Sequence, residues 1–143
     1  MKIHELEIKG AYEITLSPHE DERGFFMRTY DDKLWKQHNI DRSWVNDNHS
    51  FSLKKGTIRG LHIQYPPHTE TKLFRVVEGE LFFAFVDLRK NSPTFGTWKS
   101  LILSSANKKM VYVPKGCAPG ICTLTDNCHF LLKTDNYYVP DTS

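Results

Sequence analysis

Residues 72–79 read KLFRVVEG and residues 80–88 read ELFFAFVDL. Each is a short run rich in Val, Phe and Leu, and a glycine separates them. That is the composition of two consecutive strands rather than of a helix. Working outward, LEIKGAYEITL (6–16), GFFMRTY (24–30), WKSLILS (98–104) and KMVYVP (109–114) read the same way, punctuated by Gly, Pro, Asn and Asp. Only DDKLWKQH (31–38) has a helical pattern, with Asp31 able to cap its first turn and Leu34 and Trp35 able to pack inward. About ten short strands with one short helix predict an all-β sandwich or barrel. In a jelly roll of this kind two sheets leave a cavity at one mouth.

The chain has 143 residues, of which 39% are hydrophobic and 13% aromatic, so one globular domain over 1–143 is expected. Its net charge is only +2 with seven His counted as neutral, too balanced to predict a nucleic-acid partner. Lys54-Lys55 and Lys108-Lys109 read as solvated turns. No run is long enough for a membrane span, and the opening MKIHELEIKG has no signal-peptide core. Cys117, Cys122 and Cys128 are odd in number and lack metal-type spacing, which points to a reducing cytoplasm. Cys122 and Cys128 flank the turn-like 125–127 and could face each other across a hairpin; otherwise they read as small buried apolar groups.

Residues 56–64, GTIRGLHIQ, with Lys72 eight positions beyond, carry the chemistry. An arginine suits phosphate because its forked donors match paired oxygens. A neutral imidazole suits proton abstraction near neutral pH. A fixed ammonium stabilises charge that develops on a carbonyl oxygen. Arg59, His62 and Lys72 together therefore fit removal of a proton next to a ketone on a nucleotide sugar. Strict alternation, however, puts Arg59, Leu61 and Ile63 on one face and Ile58, Gly60, His62 and Gln64 on the other. A bulge, or the entry from Gly56, must re-aim Arg59 for both groups to share a cavity. His49 and His68 read as surface or edge residues, His129 as a strand residue, Leu81–Phe85 as core packing, and Tyr137 and Tyr138 as a packed C-terminal strand edge.

The spacing of Gly56, His62 and His68, followed by Pro114-Lys115-Gly116, resembles the two cupin motifs. Metal-binding cupins carry H-x-H in the first motif and a further His in the second. Here Gln64 stands in place of the second His, and Pro119 supplies no ligand atom, although Glu70 or His68 offers a further donor. Three protein ligands are needed to hold a transition metal well, so no metal and no cofactor are expected, and His62 remains free to act as a base.

At the level of ordered motifs the chain resembles the dTDP-4-dehydrorhamnose 3,5-epimerase family. The matching stretches are Asp21-Glu22-Arg23-Gly24-Phe25-Phe26, Asp47-Asn48-His49-Ser50, GTIRGLHIQ (56–64), Lys72-Leu73, Val86-Asp87-Leu88-Arg89, SPTFG (92–96) and Pro114-Lys115-Gly116. The resemblance implies a homodimer of cupin-type jelly rolls acting on a nucleotide-sugar substrate. It implies His62 as the base at C3 or C5 of a 4-keto sugar and Lys72 as the cation at the C4 oxygen. It implies Arg23 and Arg59 on the pyrophosphate, with Phe26, Asn48 and Ser50 shaping the rest of the substrate site.

Several positions depart from the family pattern. Pro119 replaces a His, Phe83 an Asp, Leu132 the Tyr expected to act as general acid, and Arg28 an acidic residue. Asn46 and Glu70 each replace a Gln. The chain stops at Ser143, before the family's later Asp that orients the catalytic His. Phe83 and Pro119 are expected to face each other and to make a polar pocket apolar. Weak, altered or one-carbon epimerisation is expected, with two alternatives: a nucleotide-sugar-binding protein without turnover, and a keto-isomerase using the same base.

Overall fold

Leu81, Phe83 and Phe85 are each 1% exposed or less, whereas Phe82 between them is 37% exposed. That period of two is what a strand with one face on a core must show. The computed structural model describes residues 1–142. In chain order the strands are β1 (Lys2–Glu5), β2 (Tyr12–Thr15), β3 (His19–Asp21), β4 (Gly24–Phe26), β5 (Asn46–Ser52), β6 (Ile58–Gly60), β7 (Lys72–Glu78), β8 (Glu80–Asp87), β9 (Trp98–Ser104), β10 (Lys109–Val113), β11 (Cys117–Thr123) and β12 (Cys128–Thr134). Among the described residues a single α-helix, α1 (Asp32–Gln37), stands between β4 and β5. Strands that the quoted apolar runs do not cover include the three-residue β3 and the seven-residue β5, β11 and β12.

Six strands form one sheet in the order β1-β2-β10-β7-β12-β5, and four form a second in the order β6-β11-β8-β9. Their pairings are antiparallel. Residues from both sheets meet in a shared core, so the fold is the expected all-β, cupin-type jelly roll with one short helix. At its centre Phe74 of the larger sheet meets Phe83 of the smaller with ring centroids 4.8 Å apart. Gly79 makes the corner between the two sheets, at φ +88°, and a Cβ there would lie 2.5 Å from Thr125 Oγ1. Only glycine takes that corner without strain.

A second apolar cluster covers another part of the larger sheet, where α1 seats Trp35 against Tyr112 with ring centroids 6.4 Å apart. Asp31 caps the helix as expected, accepting from the Leu34 N–H at 3.1 Å. No helix among the described residues is long and apolar enough to cross a membrane.

Asp87 ends β8 fully buried, and its carboxylate organises the turn that follows. It accepts from Arg89 Nε at 2.9 Å, Arg89 Nη2 at 3.0 Å and Thr94 Oγ1 at 2.7 Å, and from the Ser92 hydroxyl. Burial opposes the charged form, but the hydrogen bonds from Arg89, Ser92 and Thr94 outweigh it and hold the carboxyl well below the usual carboxylate range. A carboxyl depressed by folding stabilises the fold fully above its unfolded pKa of about 3.9 and loses that contribution as the pH falls. Asp87→Asn is therefore expected to cost about 3 kcal/mol at pH 7. It is also expected to flatten the loss of stability between pH 5 and pH 2 in urea titrations, relative to the parent.

Cys122 and Cys128 do not flank a hairpin within one sheet, because β11 and β12 lie in different sheets. All three cysteines are free thiols. Burial pushes Cys117 up to about 12 and raises Cys128 as well, while Cys122 is only half-buried. Since the thiolate is the reactive form, alkylation at pH 8 should label Cys122 first. Mass spectrometry should find Cys117 and Cys128 protected until the protein unfolds.

Candidate active site

The expected conflict between Arg59 and His62 is resolved at Gly60. β6 pairs with β11 through Gly60↔Gly120 and Arg59↔Ile121. Gly60 then takes φ +95° and ends the strand. A Cβ at that position would lie 2.7 Å from Pro119 O and 2.9 Å from Gly120 Cα. Alternation stops there, and the His62 N–H donates to Pro119 O at 3.0 Å. Arg59 and His62 consequently line one cavity.

That cavity has a volume of about 610 Å³, within the range of small-molecule sites. Lys72, the first residue of β7, reaches it from the larger sheet. Its position is fixed on both sides, opposite Val113 of β10 and Thr134 of β12. The Lys72 ammonium donates to the His62 carbonyl oxygen at 3.2 Å and pairs with Glu70 Oε1 at 3.1 Å. The side chains of this pair are 9% and 11% exposed, Lys72 first. Arg59 donates from Nε to Ser52 Oγ at 3.2 Å and from Nη2 to Phe51 O at 2.9 Å. These bonds hold the guanidinium against β5 and leave further donors for a ligand. Two cationic side chains and one carboxylate line the cavity, a balance that favours an anion.

Asn48 and Ser50 also line the cavity from β5, and Asn48 Nδ2 donates to Leu132 O at 3.2 Å. Pro119, Ile121, Phe74, Phe130 and Leu132 make much of the remaining wall apolar. Phe83 does not face Pro119. The residue opposite Pro119 is Phe85, and Phe83 lies in the core against Phe74. The apolar character of the cavity wall thus comes from Pro119 and Leu132, with Phe83 packed behind it.

Arg23 and Phe26 lie outside the cavity within one chain. They stand on the β3–β4 hairpin, where Phe26 is 73% exposed. Arg23 is paired with Asp21, Nε donating to Oδ2 at 3.2 Å and the Arg23 N–H to Oδ1 at 2.9 Å. Arg28 pairs with Asp31 at 3.6 Å.

Four cavity residues were not legible as such. Tyr138 is not a packed strand edge: it follows β12, is 67% exposed and borders the cavity. Gln64 holds it there, donating from Nε2 to Tyr137 O at 3.0 Å and accepting from the Val139 N–H at 2.7 Å. His49 is exposed on the edge strand β5, as expected, and it also borders the cavity, where it hydrogen-bonds His129, Nε2 to Nδ1, at 2.8 Å. Glu70 lies beside Lys72. Its place two residues before a strand-borne lysine was the one available signal, because alternation returns both to the same face.

A jelly roll that opens on an imidazole, a buried ammonium and an arginine is a cupin-class protein fitted to an anionic ligand. The family model of dTDP-4-dehydrorhamnose 3,5-epimerase matches residues 5–143, and the chain belongs to that family. The dTDP-4-dehydrorhamnose 3,5-epimerase of Shigella flexneri is 47% identical over 120 residues, covering 82% of this chain and 65% of that protein. The Neisseria gonorrhoeae enzyme of the same name is 46% identical over 122 residues, covering 85% of this chain and 37% of that protein. The chain thus spans less than two thirds of the length of these two relatives. The crystal structure of the Bacillus anthracis epimerase with TDP and PPi bound superposes with a TM-score of 0.95 at 41% identity, covering 99% of this chain and 81% of that one. The Legionella pneumophila epimerase in complex with dTDP-4-keto-L-rhamnose gives a TM-score of 0.92 at 39% identity, covering 99% and 74%.

Proposed function

We propose that the chain binds a dTDP-linked or related 4-keto-6-deoxyhexose and epimerises it at C3, C5 or both, in deoxysugar biosynthesis. His62 removes the proton alpha to the ketone. Lys72 faces the oxygen on which charge develops, and Arg59 takes the pyrophosphate with Asn48 and Ser50 beside it. The observation that carries this reading is the Lys72 ammonium, buried in the cavity wall and 3.2 Å from the carbonyl of the residue bearing the imidazole. An alpha C–H is a weak acid, and a preorganised cation at the nascent oxyanion is the largest help a protein can give its removal. The names and ligands of the relatives support the same substrate class.

Arg23 and Phe26 enter the same reading through a homodimer. They sit on an exposed hairpin that belongs to neither large sheet, and in this reading they serve a neighbouring copy's cavity. Three free thiols fit a reducing cytoplasm.

The test is incubation with dTDP-4-keto-6-deoxyglucose in D₂O. Deuterium should enter C3 or C5, and the wash-in should fall by about 10²-fold or more in His62→Ala and in Lys72→Ala. Tight substrate binding by the parent with no wash-in would overturn the reading. That result would favour a second one, a nucleotide-sugar-binding protein, to which the donor-free wall at Pro119 and Leu132 lends support.

A further inference from the structure

Inversion at carbon needs two proton carriers, since a single base returns its proton to the face it came from. Besides His62, the side chains of the cavity wall able to carry a proton are His49, Glu70, Lys72 and Tyr138. Lys72 is committed to the oxyanion. Tyr138 stands at the open rim, and His49 spends Nε2 on His129. Glu70 alone is both shielded from solvent and in contact with the ammonium that marks the ketone oxygen.

The Lys72 ammonium draws the two groups together. A ketone oxygen bound to Lys72 would sit about 2.8 Å from Nζ. An alpha carbon lies about 2.4 Å from its carbonyl oxygen. Glu70 Oε1 is 3.1 Å from that same Nζ, so its carboxyl and the reacting carbon are neighbours around one nitrogen. Its other oxygen, Oε2, makes no hydrogen bond to a protein group among the described residues.

We propose that Glu70 is the second proton-transferring group of the epimerisation, an inference that rests on the function proposed above. In one direction, once the ketone oxygen has taken Glu70's place at the Lys72 ammonium and the Glu70 carboxylate has taken up a proton from solvent, the C–H bond breaks toward His62, its electron pair forms the C=C bond, and the carbonyl pair moves to the oxygen beside Lys72. The Glu70 carboxyl then gives its proton to the opposite face of the same carbon as the carbonyl re-forms. Solvent returns a proton from the His62 imidazolium to the Glu70 carboxylate. In the reverse direction Glu70 is the base and His62 the acid. Glu70 thereby takes the role left empty by Leu132, and the Glu at a position where the family pattern has Gln acquires a function.

Glu70→Gln separates this role from mere positioning of Lys72, because the amide oxygen still accepts from Nζ but carries no transferable proton. With dTDP-4-keto-6-deoxyglucose in D₂O, inversion is expected to fall by about 10²-fold or more. Deuterium wash-in with retention, which needs only His62 and Lys72, is expected to persist within about tenfold. Glu70→Asp keeps a carboxyl and should recover part of the inversion; it also serves as the test variant if Glu70→Gln does not fold. Inversion unchanged in Glu70→Gln would overturn the proposal. So would a parallel loss of wash-in and inversion, which would make Glu70 a positioning residue. A parent protein that shows no wash-in at all would remove the underlying function as well, a result distinct from either.

Discussion

Lys72→Met is expected to lower deuterium wash-in by about 10²–10³-fold, the loss typical of removing a preorganised donor at a developing oxyanion. The variant should also lose stability, for a separate reason. Glu70 is nearly as buried as Lys72, and removing the ammonium leaves its carboxylate without a counter-charge. Breaking one side of such a pair costs about 3–5 kcal/mol. The two effects can be separated by adding Glu70→Gln, which removes the stranded charge. The double variant should regain most of the lost stability in urea unfolding while wash-in stays low. Wash-in within threefold of the parent in Lys72→Met would remove the cation from the reaction.

Gly60→Ala is expected to damage both fold and site. The added methyl would meet Pro119 O and Gly120 Cα, which are backbone atoms of the paired strand and cannot swing aside. The residue's φ of +95° adds conformational strain. Relief requires β6 to move away from β11, which weakens the bond from the His62 N–H to Pro119 O and displaces Arg59 and His62 together. A loss of about 3 kcal/mol or more is expected. A displacement near 1 Å would cost a further factor of about 10² in turnover. Gly56→Ala is the matched control. Gly56 has φ +83°, but nothing lies within 4 Å of its added Cβ, so only the conformational cost of about 1 kcal/mol applies. Equal losses in the two variants would show that the close approach at Gly60 is immaterial.

Much of the fold was legible because strands that bury a core are rich in Val, Phe and Leu and are punctuated by turn residues. The runs at 72–88 carry that composition, but not the facing of each residue: Leu73 and Phe74 are buried on opposite faces of β7, and within 81–85, read whole as core packing, Phe82 is 37% exposed while Leu81, Phe83 and Phe85 are buried. The helix was legible through Asp31, whose side chain can act only locally. The site was harder to read. His62, Lys72, Arg59, Asn48 and Ser50 were singled out, and the structure brings them to one cavity. The mutual placement of Arg59 and His62 was hidden, because one glycine with positive φ cancels the alternation on which the reading depended. The same reliance on pattern set Phe83 against Pro119, whereas strand register puts Phe85 there. Tyr138 was hidden for another reason: its position depends on a side-chain amide 74 residues earlier in the chain, and no local window contains both.

That long-range tie makes the tail and the imidazole parts of one strap. Gln64 stands two residues after His62, and its amide grips the backbone on both sides of Tyr138. A ligand that presses the tyrosine ring outward therefore tugs on the segment that aims the ring of His62. Occupancy beside Tyr138 and alignment of His62 become a single mechanical event. Sugar fragments too short to touch the rim should consequently lose turnover as well as affinity.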